Sequence, residues 1–395
     1  MRKLKIHFFV QSVNIVGTYF RFHNLAIGLI KRGHEVIVFG CDNDPKNIYH
    51  EEFRDGVPYR IWPGSKGQTY FGQWNHPKVV AERYFAKPEA CDVAHLFQPF
   101  YSGAAPWLRL RKKGMTGLLV YDWDDLWEGG LGGALPQNLV MRFWEPILRN
   151  NIERHYPKTA DVTTCCSEFL CQYARDRGAG VVEKIYNGFW PYERPDKIEA
   201  RKSLNLRADA IYAGFMGRTM SGVPWIIRAF ENVLPKAPAL RLAICGMPDG
   251  IIGDLPSSIR DRVDNLGVLS PLVAKRFSAA LDVGLLPLEN TLFNQSRFPI
   301  KFAEYMACGT PIIASTVGEC AVIGADMDWV VKAGKDEHSW TTAFLHWSLS
   351  PEKIAPVNEQ KIAEVLHWDG IVRRLEDLYY QNLRRDTNQT NNAIT

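Results

Sequence analysis

Residues 282–318 read DVGLLPLENTLFNQSRFPIKFAEYMACGTPIIASTVG. An apolar run, a polar loop, a Pro-opened helical stretch and a second apolar run follow one another here, as strand, loop, helix and strand. Pro299 suits the first helical position, because its fixed φ is helix-compatible and its missing N–H would have had no intrahelical partner. The free amides of a helix start attract anions. Lys301, Glu304 and Tyr305 lie three and four residues apart and share one helical face, and Gly309 can close the helix in a left-handed conformation before the strand at 311–315. An isolated Lys–Glu pair at this spacing would be a solvated surface pair. The flanking strands and glycines favour an anion site with a carboxylate beside it.

The same residues carry a resemblance. Ser296, Lys301, Glu304, Tyr305, Met306, Ala307, Gly309, Pro311, Ile312, Ile313 and Ala314 resemble the donor-site segment of retaining glycosyltransferases of the GT-B fold, family 4 in particular. The resemblance implies that Glu304 holds the nucleotide ribose and Lys301 the diphosphate. Ser296 stands where much of that family has a sugar-contacting glutamate. Upstream, AGFMGRTMSGVPWIIRAFENVLPKAPALRLAICG is similar to the unit opening the family's second domain, which implies Arg218 as a diphosphate partner. Ser221 replaces the lysine expected before the loop glycine. Gly17, the run LAIGLIKRGHEVIVFG and NNIERHYPKTADVTTCCSEFL followed by IYNGFW resemble first-domain segments. Gly246 and Leu266 fall where loops recognise the nucleotide.

A chain of 395 residues with 46% hydrophobic residues is long enough for two cores. A net charge of +4 gives no case for a nucleic-acid partner. The eight cysteines match neither a zinc spacing nor a secreted disulfide frame and read as buried thiols in a reducing compartment. The opening MRKLKIHFFVQSV has the length of a first buried strand and lacks the apolar core of a leader. No run approaches a membrane span. The expected location is cytoplasmic, free or peripheral on the membrane's inner face.

Apolar strands alternate with helical stretches, notably 19–31 and 106–113, which predicts parallel sheets wound with helices. The expected fold is α/β, with two Rossmann-like domains facing a cleft and a C-terminal helix crossing back to the first. Residues 1–190 would form an acceptor-side domain, 191–208 a linker rich in Pro and charge, and 209–365 the nucleotide-sugar domain. The returning helix would span 366–384, within one helical run over 358–383, and 385–395 would be a disordered polar tail.

GLLVYDWDDLWEGG ends a buried-looking strand in Asp122, Asp124 and Asp125. Three carboxylates so close repel unless a cation or a proton sits among them. A divalent metal, a sugar or acceptor contact through Asp124 and Asp125, and helix-capping aspartates are the three readings; the metal is the least favoured, because the diphosphate roles already have cationic owners. His95, at another strand end, is read first as a satisfied structural group and second as a ligand contact. Gly17, Thr18 and Arg21 stand at the first strand–loop–helix turn, placed to approach a phosphate. Trp107, Arg109, Arg111, Lys112 and Lys113, with Phe143 and Trp144, either dock on an anionic membrane or are solvated helix faces over core tryptophans.

The resemblance thus implies a glycosyltransferase moving a sugar from a nucleoside diphosphate, UDP- or GDP-linked, to a glycan, glycolipid or metabolite hydroxyl, with retention and with neither metal nor other cofactor. Arg218, Lys301 and Asp124 would be catalytic. Two rivals share the pocket: a sugar-nucleotide epimerase or hydrolase, and a silent nucleotide-sugar-binding protein.

Overall fold

The computed structural model describes residues 2–15, 17–42, 48–64, 77–126, 153–191, 193–217, 222–246, 255–350 and 353–392. The chain divides into two compact units, Met1–Asn187 with Trp368–Thr395, and Gly188–His367.

The first unit holds strands β1 (Lys5–Ser12), β2 (Glu35–Cys41), β3 (His50–Arg54), β4 (Val57–Trp62), β5 (Cys91–Phe97), β6 (Thr116–Trp123), β7 (Val162–Cys165) and β8 (Val181–Lys184). Their order in the sheet is β3-β4-β2-β1-β5-β6-β7-β8. All neighbours are parallel except the β3/β4 hairpin at one edge. That hairpin turns on Asp55 and Gly56, both at positive φ, an arrangement that the Asp-Gly pair accepts. Helices α1 (Tyr19–Lys31), α2 (Pro77–Phe85), α3 (Tyr101–Lys112) and α4 (Glu168–Asp176) cross between strands. Helix α3 begins at Tyr101, so Pro106 lies inside it and does not open it, and the small buried residues Ser102, Gly103 and Ala104 lead the helix in. Trp107 is fully buried and donates Nε1–H to Ala94 O at 2.9 Å. Arg109 donates to the carbonyls of Tyr84 and Ala86, and Arg111 pairs with Asp161. Phe143 and Trp144 lie outside the described residues.

The second unit holds β9 (Ile211–Met216), β10 (Leu240–Cys245), β11 (Val263–Asn265), β12 (Val283–Leu286), β13 (Ile312–Ser315) and β14 (Val330–Ala333), all parallel, in the order β11-β10-β9-β12-β13-β14. Counted from its own first strand this is 3-2-1-4-5-6, the doubly wound order whose ligands bind beyond the carboxyl ends at the point of reversal. Its helices are α5 (Lys197–Ser203), α6 (Val223–Val233), α7 (Pro271–Ala280), α8 (Leu292–Ser296), α9 (Ile300–Ala307), α10 (Gly318–Ile323), α11 (Glu337–Leu349) and α12 (Glu359–Leu366). Phe230, Phe344, Trp340 and Trp347 join α6 and α11 over one face of the sheet in a continuous apolar core.

The stretch expected as a linker is part of this unit. Asp196 caps α5 by accepting from the amides of Ile198 and Glu199, and buried Arg201 donates to the carbonyls of Ala208, Ala210 and Ala280 and to Asp282 at 2.6 Å. Its charges are therefore anchors.

The expected run over 358–383 is two helices. His367 adopts an extended backbone and bridges Phe189, and α13 (Trp368–Asn392) then belongs to the first unit. There Val372 sits so close to Gly28 of α1 that a Cβ at Gly28 would overlap it. Glu376 accepts from Arg32 Nε at 2.6 Å and His34 Nε2 at 2.8 Å. The backbone stays helical through Asn392, where the polar composition predicted disorder from 385.

No helix among the described residues is long and apolar enough to cross a membrane. None of the eight cysteines forms a disulfide; seven are buried and Cys308 is half-buried.

Candidate functional site

In the second unit the segment at 282–318 folds as β12, a loop, α8, α9 and β13. Pro299 is the cap of α9 and not its first residue, with φ −72° and ψ 108°. The helix ends as its sequence suggests: Gly309, at φ 73°, donates to Met306 O at 2.9 Å and Thr310 N donates to Tyr305 O at 3.0 Å. These paired bonds satisfy the last carbonyls. Tyr305 turns inward and is fully buried, its hydroxyl donating to Gly214 O at 3.3 Å while its ring fills the space a Cβ on Gly284 would need.

Lys301 and Glu304 take the outer face. Lys301 Nζ donates to Glu304 Oε2 at 2.9 Å, with the side chains 35% and 38% exposed. Both act electrostatically on the Cys245 thiol at the end of β10, which burial pushes up to about 12. The pair thus stands over the carboxyl edge of the sheet. Three glycines crowd that edge. Gly246, at φ 87°, donates to Gly267 O at 2.7 Å, and a Cβ on it would meet Gly217 O. Leu266, half-buried, donates its amide to Ile244 O at 2.8 Å. A side chain at Gly246 would have no room against the neighbouring turn, which accounts for the glycine there.

At the point of reversal, Gly222 caps α6 at φ 71° against Pro287, and its amide donates to Glu289 Oε1 at 3.1 Å. Pro224 follows in the first turn and has no N–H to offer. This helix start is therefore poorer in donors than its place suggests. Arg218 and Ser221 lie outside the described residues. Ser296 is fully buried in α8, its hydroxyl donating to Phe293 O at 2.9 Å, so it presents nothing outward.

In the first unit the aspartate cluster has its cation. Arg21, fully buried, donates Nε–H to Asp122 Oδ1 at 2.7 Å and Nη2–H to Asp122 Oδ2 at 2.8 Å. Its Nη1 donates to Asn187 Oδ1 at 3.0 Å, and Asn187 Nδ2 donates to Asp124 Oδ1 at 3.1 Å. Thr164 Oγ1 adds a bond to Asp122 Oδ2 at 2.6 Å. Burial alone would lower the Arg21 pKa, yet the Asp122 pair raises it, so the guanidinium is firmly charged. Burial pushes the Asp124 carboxyl up, against the pull of Arg21. Asp125 is half-buried. Among the described residues no cluster of three or more ligating side chains could hold a metal.

Arg21 is thus a structural cation and does not reach for phosphate. His95 is also interior: Nδ1 and Tyr379 Oη of α13 share a 2.6 Å hydrogen bond, and Phe8 and Phe97 pack on the ring. It has no surface from which to touch a ligand. Gly17 remains exposed at φ 56° on the turn after β1. Beside it, Gln98 at the end of β5 holds a positive φ of 68° and donates Nε2–H to Thr18 Oγ1 at 2.8 Å. The first unit's strand order reverses between β1 and β5, so these three residues mark its own ligand-facing edge.

Burial lowers His7 and His95 from 6.5 to about 3. Unfolding lets both protonate, so their contribution is fully present above pH 6.5 and is lost as pH falls toward 3. Between pH 6.5 and 5 each should remove up to about 1.4 kcal/mol of stability per pH unit, before carboxylates titrate. Urea midpoints measured across that interval should fall, and pH-independent midpoints would contradict the buried neutral histidines.

Comparison with known proteins gives matches to both units. Residues 17–189 match the family model for Glycosyltransferase Family 4 and residues 208–348 that for Glycosyl transferases group 1. The chain is 24% identical over 207 residues to the putative teichuronic acid biosynthesis glycosyltransferase TuaH of Bacillus subtilis, covering 50% of each. It is 32% identical over 164 residues to a D-inositol 3-phosphate glycosyltransferase of Stackebrandtia nassauensis, covering 38% of this chain and 36% of that protein. The chain spans about half the length, or less, of these curated relatives. Among solved structures, sucrose-phosphate synthase from Thermosynechococcus elongatus superposes with TM-score 0.74 at 20% identity, covering 96% of this chain and 99% of that one. Anabaena HepE in complex with UDP-glucose gives TM-score 0.67 at 14% identity, covering 96% and 100%.

Proposed function

We propose that this chain, which belongs to the group 1, family 4 glycosyltransferases and has their GT-B fold, transfers a sugar from a nucleoside diphosphate to an acceptor hydroxyl. The acceptor class is a glycan, glycolipid or metabolite, the configuration is retained, and no metal is used.

One observation carries the reading: Lys301 and Glu304 stand at the start of α9, over the carboxyl edge of a sheet with the 3-2-1-4-5-6 order. An arriving diphosphate exchanges the Glu304 carboxylate for a phosphate oxygen at Lys301 Nζ. Glu304 is then released to accept from the two ribose hydroxyls. The first-turn amides of α9 add donors. As the glycosidic bond breaks, charge grows on the leaving diphosphate, and a fixed cation there stabilises the transition state more than the ground state. HepE, with its UDP-glucose complex, supports a nucleotide-sugar donor of this kind. Within the first unit, Asp124 accepts from Asn187 and Gly17 is exposed on the turn after β1.

Incubation with a panel of UDP-, GDP- and ADP-sugars tests this. Nucleotide release should need an acceptor, survive EDTA, and give a product whose anomeric configuration by NMR is that of the donor. Sugar isomerisation without acceptor would instead mark an epimerase, and donor binding without turnover a silent binding protein.

A further inference from the structure

The first unit holds a half-open cavity of about 410 Å³, lined by residues of β1, β2, β3, β4, α2 and α3, by Tyr49 and by the segment 86–89. It lies on the sheet face that carries His7 and Phe9, opposite the one where Phe8 and His95 meet α13. It is distinct from the residues that the transferase reading uses.

One wall is aromatic. Phe9 and Phe39 stack at 5.2 Å, Trp62 continues the stack at 6.3 Å from Phe39, and Tyr49 meets Trp62 edge-on at 5.0 Å. The other wall is polar. Arg83 is 2% exposed, and its Nη groups donate to Val10 O at 2.9 Å, Phe39 O at 2.8 Å and Cys41 Sγ at 3.6 Å. Its guanidinium also lies 5.7 Å from the Trp62 ring. Among the described residues no carboxylate pairs with it, and its Nε–H has no acceptor. His7, 1% exposed, lines the same cavity with an Nε2 that has no partner. Arg60, in the same lining, is by contrast covered by both lining carboxylates, Glu51 at 3.1 Å and Glu89 at 2.5 Å.

Buried cations are normally paired, and buried polar atoms hydrogen-bonded. Here two orphaned nitrogens and a guanidinium with no carboxylate partner share a cavity, of the size and aromatic character of small-molecule sites, whose lining carboxylates Glu51 and Glu89 are taken up by Arg60. We propose that it binds a small planar aromatic acid, its ring on the Phe9–Phe39–Trp62 wall and its carboxylate against the Arg83 guanidinium and the His7 ring that line the cavity. Burial keeps His7 neutral, so its ring adds a donor without adding a second charge.

Benzoate is the probe, with benzyl alcohol and acetate as partners lacking the charge and the ring. Calorimetry should show one benzoate per chain, with both partners at least about tenfold weaker. Histidine ¹⁵N spectra should show the His7 ring shifting alone among the ten histidines. Arg83→Met should lower benzoate affinity by about tenfold or more. Because that variant strips partners from two carbonyls, Ala86→Trp, which fills the cavity from a half-buried position in its lining, is the second arm and should abolish binding with the fold intact. No saturable benzoate heat, equal binding of benzyl alcohol or acetate, or unchanged binding to Ala86→Trp would each overturn the assignment.

Discussion

Arg21→Met should destabilise the chain by about 3–5 kcal/mol, the cost of leaving one member of a buried ion pair uncompensated. Asp122 would lose two charge-assisted hydrogen bonds and keep the Thr164 bond, with the His95 ring 3.8 Å away, and Asn187 would lose the donor that aligns it on Asp124. The companion variant Asp122→Asn removes the stranded charge. A double-mutant cycle by urea unfolding should therefore return a coupling of about 1–3 kcal/mol, with the double variant recovering part of the single loss. The measurement also decides between two jobs for Arg21. A guanidinium that served a phosphate would cost donor affinity and leave stability nearly untouched. A stability loss under about 1 kcal/mol would therefore speak against the buried pair.

The same cluster shows where sequence reading stops. GLLVYDWDDLWEGG announces that its carboxylates need a cation, but the cation comes from 101 residues upstream and the amide that joins them from position 187. Local spacing carries no information about such partners. Only the strand order, which brings the turn after β1 beside the end of β6 through β5, puts Arg21 and Asp122 together. Short-range physics was legible: Gly309 closes α9 as expected, and the alternation of apolar runs with helices yields both wound sheets. Pro299 misled by one position because a proline fits the cap as readily as the first turn. The β3/β4 edge hairpin was missed because His50–Arg54 is polar, although Asp55-Gly56 between two short runs is the strongest local hairpin signal. Ser296 stands where the resemblance has a sugar contact, and His95 reads first as a satisfied structural group and second as a ligand contact. Their burial depends on α8 and on Tyr379, elements that a motif comparison does not place.

Lys301→Ala should lower kcat by about 10²–10³-fold, the usual loss when one fixed donor to growing charge is removed. The weight on this residue comes from its surroundings. At the α6 start, where the loop after β9 could also meet a diphosphate, Gly222 N–H is occupied by Glu289 and Pro224 supplies none. Lys301 therefore stands as a described cation at the strand edge, beside Arg297, whose Nε–H is given to Asn294 Oδ1 at 3.0 Å. Its partnership with Glu304 is one-third exposed on both sides and contributes at most about 1 kcal/mol to folding, so the variant should unfold with nearly wild-type midpoints. Glu304→Gln should behave differently: it retains a hydrogen-bonding side chain but weakens the grip on the ribose, raising KM for the donor more than it lowers kcat. Lys301→Arg should not restore full activity, because a planar fork replaces a compact charge on a shorter reach to Glu304. Wild-type kcat/KM in Lys301→Ala would remove the cation from the mechanism. A loss matched by an equal fall in stability would mean that the pair holds the fold together and does not hold a donor.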